Sequence, residues 1–136
     1  MNRRELQALA ETRLKDAQAL YRAKRFDGAY YLAGYAIECA LKACIAKKTK
    51  KHDFPDKQLG NDAYTHDLQR LLGLTDVAEQ FKQRSRTNRD LDYRWGVVKD
   101  WNEKSRYGRH GRAKSRAMLE AVAGPHGALA CFREYW

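Results

Sequence analysis

Six basic residues crowd into one short stretch of the chain: Lys104, Arg106, Arg109, Arg112, Lys114 and Arg116. No carboxylate falls between Glu103 and Glu120, and Gly108 and Gly111 interrupt the run. Arginine presents a planar fork that grips phosphate with two hydrogen bonds, so the run suits contact with a phosphate backbone. It leads into the last helix, and cations at a helix N-terminus oppose the helix dipole. A bound phosphate would relieve that cost by taking up both the free backbone N–H groups and the charge. Two more acid-free runs exist. Lys42, Lys47, Lys48, Lys50 and Lys51 lie between Glu38 and Asp53; Lys82, Arg84, Arg86 and Arg89 lie between Glu79 and Asp90. The three runs hold 15 of the 27 basic residues. They can meet in space only where helix ends lie together, and an up-and-down bundle can bring the start of the last helix near the end of the second.

The rest of the composition narrows the partner. A net charge of +10 favours a polyanion, nucleic acid before an anionic membrane or an acidic protein. No stretch approaches the roughly 20 apolar residues that span a bilayer, and Met1 to Lys15 lacks a signal-peptide core, so a cytoplasmic protein is expected. Three cysteines, Cys39, Cys44 and Cys131, fit a reducing compartment. The spacing of Cys39 and Cys44 is not that of a zinc site, and both read as inert buried thiols. No Walker loop, GxGxxG, HExxH or GxSxG occurs. No metal and no cofactor are expected.

The elements that position these residues are helical. Leu6, Leu9, Ala10, Leu14, Ala17, Leu20 and Tyr21 form one stripe on a first helix of about two dozen residues. Asp27-Gly28 marks a tight joint. A second helix runs from Tyr30 to about Lys47, with Ala29, Ala33, Ala36, Ile37, Ala40, Leu41 and Cys44 facing inward. Small residues at that spacing let a neighbouring helix come close. Apolar on most sides, this helix is central to a bundle or shared between subunits. Tyr30, Tyr31 and Tyr35 favour a dimer face. Lys47 to Ala63 reads as a loop. Thr65 is the expected N-cap of a short helix from His66 to about Leu72, with Gly73 as its stop, and His66 reads as a cap-region residue. Thr75 is a second N-cap. Val77, Phe81, Leu91, Trp95 and Val98 then keep near-helical spacing. Asn102 to Gly111 is an ordered loop. The last helix carries Ala113, Ala117, Ala121, Ala128 and Phe132 in one register and is kinked at Gly124-Pro125. The expected fold is all-α: an antiparallel up-and-down bundle of four to five helices, a single domain over residues 1–136.

One carboxylate is out of place in this pattern. Glu38 lies among Ala36, Ile37, Cys39, Ala40 and Leu41, and a buried carboxylate needs a basic partner. Lys42, one turn on, is the local candidate. Arg106 is the other, and an Arg106–Glu38 link would account for the order of the 102–111 loop, with Tyr107 and Trp101 supplying aromatic surface around it.

Three segments together resemble a HEPN domain, a helical module often found beside minimal nucleotidyltransferases. They are Ala29 through Ala43 (AYYLAGYAIECALKA), Thr65 through Leu72 (THDLQRLL) and Trp101 through Tyr107 (WNEKSRY). The segment Gly127 to Phe132 resembles the family's closing helix, and the likeness covers roughly residues 5–136. The resemblance implies a helical bundle that commonly dimerises. It also implies a link to RNA, since many such proteins are metal-independent ribonucleases of toxin–antitoxin, phage-defence or RNA-processing systems. Their motif is an Arg, four to six residues, then a His, with two copies facing each other across the dimer. The ribose 2′-OH must lose a proton to attack the neighbouring phosphate. A His with a pKa of about 6.5 can move that proton, and an Arg stabilises the growing charge. Carried over, the resemblance makes Arg106 and His110 the catalytic pair. Lys104, Arg109, Arg112, Lys114 and Arg116 would hold phosphate, and Glu38, Tyr107 and Trp101 would support the loop. The departure is in spacing: three residues separate Arg106 from His110, and the residue at the family's distance, five removed, is Lys104.

Three functions therefore compete. The first is a metal-independent endoribonuclease of a toxin–antitoxin or phage-defence system. The second is a non-catalytic module that binds RNA or nucleotide, or partners a separately encoded nucleotidyltransferase or antitoxin. The third is a dimeric scaffold. The short Arg106–His110 spacing favours the second over the first, and the clustered charge disfavours the third.

Overall fold

The computed structural model describes residues 1–48 and 57–136. Helix α1, Arg3–Arg22, starts at a capping box: Asn2 Oδ1 accepts from the Glu5 amide at 2.9 Å, and Glu5 Oε2 accepts from the Asn2 amide at 2.8 Å. Ala10, Leu14 and Ala17 are its buried stripe. The joint after α1 is at Ala23 to Arg25, not at Asp27-Gly28. Lys24 takes the left-handed conformation (φ 61°), and the Arg25 amide closes onto the Leu20 carbonyl at 2.8 Å.

Asp27 and Gly28 already belong to α2, Phe26–Ala46. This helix is the centre of the bundle. It buries 13 of its 21 residues and packs against α1 and against the later helical segments Leu68–Leu74, Glu103–Tyr107, Gly111–Ala123 and Ala128–Arg133. Gly34 is required by a close approach: a Cβ there would overlap the Trp101 indole. Trp101 is itself fully buried and donates from Nε1 to the Tyr31 carbonyl at 3.1 Å.

Helix α3, Lys57–Asp62, and α4, Leu68–Leu74, are short. The N-cap of α4 is Asp67, whose Oδ1 accepts from the Arg70 amide at 3.1 Å; Thr65 instead accepts from the Asp67 amide, one step earlier. The carboxylate wins because it takes a deeper orphan N–H while complementing the dipole. Gly73 lies inside α4. Thr75 caps the C-terminal end of that helix, its hydroxyl donating to the Leu72 carbonyl at 2.7 Å.

The Val77–Val98 stretch is two helices, α5 (Ala78–Thr87) and α6 (Arg89–Val98). Asn88 divides them in an extended conformation and caps α6 through the Leu91 amide at 3.1 Å. Phe81 of α5 and Trp95 of α6 meet Phe132 in one aromatic cluster, with centroids 5.2–5.9 Å apart. Helix α7, Gly111–Ala123, and α8, Ala128–Arg133, flank the expected kink at Gly124-Pro125. A bidentate pair from Arg133 to Glu11, at 2.6 and 2.7 Å, ties α8 back to α1.

The result is the expected all-α bundle, with five helices of ten residues or more among the described residues. Cys39, Cys44 and Cys131 are free and buried, and burial pushes the Cys39 and Cys44 thiols up to about 12. No helix among the described residues is long and apolar enough to cross a membrane.

Candidate nucleic-acid interface

The basic run from Lys104 to Arg116 is folded against the start of α2, not its end. Lys47 and Lys48 therefore lie far from it, since 21 helical residues at 1.5 Å each separate the two ends by about 30 Å. Lys48 is engaged locally with the Leu74 carbonyl at 3.0 Å and Asp76 at 3.3 Å. Lys50, Lys51 and His52 lie outside the described residues.

Trp101 anchors the run. After it, Asn102 caps a 3-10 helix, Glu103–Tyr107, by accepting from the Lys104 amide at 2.9 Å. His110 then folds back on this turn. Its Nε2 lies 2.8 Å from the Ser105 carbonyl, and because a carbonyl only accepts, Nε2 carries the proton. The ring stacks on Tyr30, with centroids 3.9 Å apart and planes at 21°. Nδ1 is buried with no partner among the described residues. One nitrogen is thus bonded to the backbone and the other is sealed from solvent. Gly108 leaves room for this: a Cβ there would lie 2.9 Å from the His110 ring.

The N-terminus of α7 is already occupied. Asp27 Oδ1 accepts from the His110 amide at 2.6 Å and the Gly111 amide at 3.4 Å. The bond from the His110 amide, joined by that from Gly111 and by nearby positive charge, holds the Asp27 carboxyl below its ordinary range. The helix-end groups expected to take phosphate are met from α2 instead. Gly111 itself sits at φ 70°, a conformation that favours glycine. Ser115 completes the junction by donating to the Phe26 carbonyl.

The cations remain outside this junction. Arg106 is exposed, its guanidinium carbon 4.8 Å above the Tyr107 ring. The Tyr107 and Tyr31 hydroxyls beside it raise its already high pKa. Arg112 lies over Phe26 at 5.2 Å, and the Lys114 ammonium lies 5.0 Å from the Tyr30 centroid. Tyr107 is 77% exposed. Arg116 pairs with Glu120 at 3.1 Å. Among the described residues Lys104, Arg106, Arg109, Arg112 and Lys114 have no carboxylate partner. The face therefore offers five uncompensated cations, three of them held against aromatic rings. Tyr30, expected on a dimer face, is 5% exposed and spent on His110 within its own chain.

Glu38 does not reach this face. Arg106 lies by Tyr31, two helical turns from it along α2. The Glu38 Oε1 atom accepts from Lys42 Nζ at 2.8 Å and faces His66 Nδ1 at 2.9 Å; Oε2 is buried without a partner among the described residues. Lys42 is the local partner that the one-turn spacing predicts, and His66 is a second that no spacing indicates. Spacing does not indicate Asp27 at the start of α7 either. Asp27 carried one signal, a carboxylate in the first turn of an apolar helix. His66 carried none, because 28 residues separate it from Glu38.

The family model for the HEPN domain matches residues 4–123. No curated protein and no solved structure matches the chain.

Proposed function

The chain belongs to the HEPN family, and from that premise we propose that it binds RNA, with the face formed by Lys104, Arg106, Tyr107, Arg109, Arg112 and Lys114 running along the phosphate backbone. Family membership suggests a nucleotide- or RNA-related role. The observation that carries the reading is the pinning of uncompensated cations on aromatic rings, on a junction whose own electrostatics Asp27 has satisfied. Such cations are held in place before the ligand arrives, so little side-chain entropy is lost on binding. The exposed Tyr107 offers a ring on which a base can stack.

The test is the salt dependence of binding to a labelled single-stranded RNA. Each phosphate contact contributes a slope of about −0.7 in log K against log salt, so five contacts give about −3.5. Replacing Arg109 and Arg112 together by alanine should flatten the slope by about 1.4. An affinity indifferent to salt would sink the reading.

A metal-independent endoribonuclease of a toxin–antitoxin or phage-defence system is the second reading. The exposed guanidinium of Arg106 favours it, since it is held over the Tyr107 ring and has no carboxylate partner among the described residues. Cleavage of mixed RNAs in EDTA by the wild type and not by Arg106→Ala supports it. Salt-sensitive binding without cleavage supports the binding module, alone or beside a separately encoded nucleotidyltransferase or antitoxin.

A further inference from the structure

We infer that His66, oriented by Glu38, is the proton-transfer group of this protein, acting on RNA whose phosphates lie on the Lys104–Lys114 face; the inference rests on the RNA-binding reading above. The argument starts from Glu38. It is 2% exposed, and Lys42 at 2.8 Å keeps a compensating charge beside it. An ionised carboxylate only accepts, so the His66 atom facing it at 2.9 Å, Nδ1, carries the proton. In the neutral ring the lone pair then falls on Nε2, on a side chain that is 46% exposed. A carboxylate holding one imidazole nitrogen so that the other can take a proton is the arrangement of a general base. Among the described residues no group occupies His66 Nε2.

The ring opens on a polar cleft of about 590 Å³, a size that accepts a nucleotide. Lys99, Asp100, Asn102, Glu103 and Lys104 line it together with Asp67. Asp67 is committed to capping α4. Asp100 and Glu103 suit the donors of a nucleoside, its ribose hydroxyls and base amino groups, while Lys99 and Lys104 suit its phosphate. Lys104 belongs both to this cleft and to the basic face. A strand following that face therefore enters the cleft beside His66.

The step is an internal transfer within the RNA. The ribose 2′-OH gives its proton to His66 Nε2, and the electron pair left on oxygen forms the 2′-O–P bond. The P–O5′ bond breaks, and the 5′-oxygen takes a proton from water. The products are a 2′,3′-cyclic phosphate and a 5′-hydroxyl, and the imidazolium returns its proton to the hydroxide formed. Glu38 is a positioning residue in this scheme.

The experiment compares wild type with His66→Asn, whose amide can keep the bond to Glu38 but carries no titrating nitrogen. In EDTA the wild type should leave 2′,3′-cyclic phosphate ends, and the variant should cut at least 100-fold more slowly with RNA affinity within twofold. Glu38→Gln should lower kcat and leave KM in place. A second measurement does not depend on cleavage or on the variants folding. In NMR spectra of the wild-type histidines, an uncleavable 2′-deoxy oligonucleotide should shift the His66 ring signals and leave those of His110 in place. His66→Asn cutting at the wild-type rate, bound oligonucleotide that leaves His66 unmoved, or RNA bound without cleavage would each overturn the inference while the RNA-binding reading stands. Absence of RNA binding would remove both.

Discussion

His110 and His66 invite comparison because each ring holds a protein oxygen with one nitrogen and keeps a second. At His110 the acceptor is a backbone carbonyl five residues away, and the second nitrogen is buried against Tyr30. At His66 the acceptor is a carboxylate from the central helix, and the second nitrogen faces a cleft. The first ring fastens a turn; the second is held ready for a ligand. Position within the sequence points the other way, since His110 lies among the arginines and His66 in a polar approach to a short helix. The environment of the remaining nitrogen, rather than the company a histidine keeps along the chain, decides what it can do.

The strongest way to break the comparison is to remove what both sites share. Trp101 packs on Gly34 and Tyr31 behind the basic face and also lines the His66 cleft. Trp101→Ala should cost about 3–5 kcal/mol, a large share of a small domain's stability, and should loosen both histidines together. Urea unfolding with amide exchange of residues 102–110 checks it; a loss confined to one site would show the two to be independent.

Glu38→Ala separates the sites instead. It leaves Lys42 beside an apolar pocket and frees His66, at a cost of about 3 kcal/mol. The His110–Tyr30 stack should survive, which the ring shifts of Tyr30 report. A disturbed stack would mean that the two sites are coupled through α2.

Gly108→Ala is the converse. The new methyl meets the His110 ring, so the bond to Ser105 should lengthen or break, for about 1 kcal/mol. Amide exchange across Glu103–Tyr107 should quicken while the His66 signals stay put.

The smallest effect belongs to Asp27, which is exposed. Its carboxyl titrates below the ordinary value of 3.8 when folded. The unfolded state therefore takes up a proton first as pH falls, so the contribution of Asp27 is complete well above 3.8 and is lost as pH drops through the lower folded value. The His110 and Gly111 amide shifts should titrate below pH 3.8, and Asp27→Asn should abolish that titration. A midpoint at or above 3.8 would place Asp27 off the helix end.

Much of the bundle was legible because helical burial is written in neighbours three and four residues apart. The stripe of α1, the apolar α2 and the kink at Gly124-Pro125 all follow from local sequence. The errors fell where a side chain or the backbone overrode that spacing. Asn88 interrupts a register that otherwise runs from Val77 to Val98, because its side chain caps a new helix. The turn after α1 uses Lys24 in a left-handed conformation where the sequence offered Asp27-Gly28 three residues later.

What the sequence determined by itself was the family, through three short segments, the helical class and the clustering of charge, all properties of residues close along the chain. The tertiary structure alone decided which carboxylate fills the start of α7, why Arg106 rests on Tyr107 instead of pairing with Glu38, and which histidine keeps a nitrogen facing a cleft. The first and last of those outcomes depend on contacts between residues 83 and 28 positions apart. Such contacts form only when packing on α2 brings distant helices together, and no local pattern of residue types encodes them.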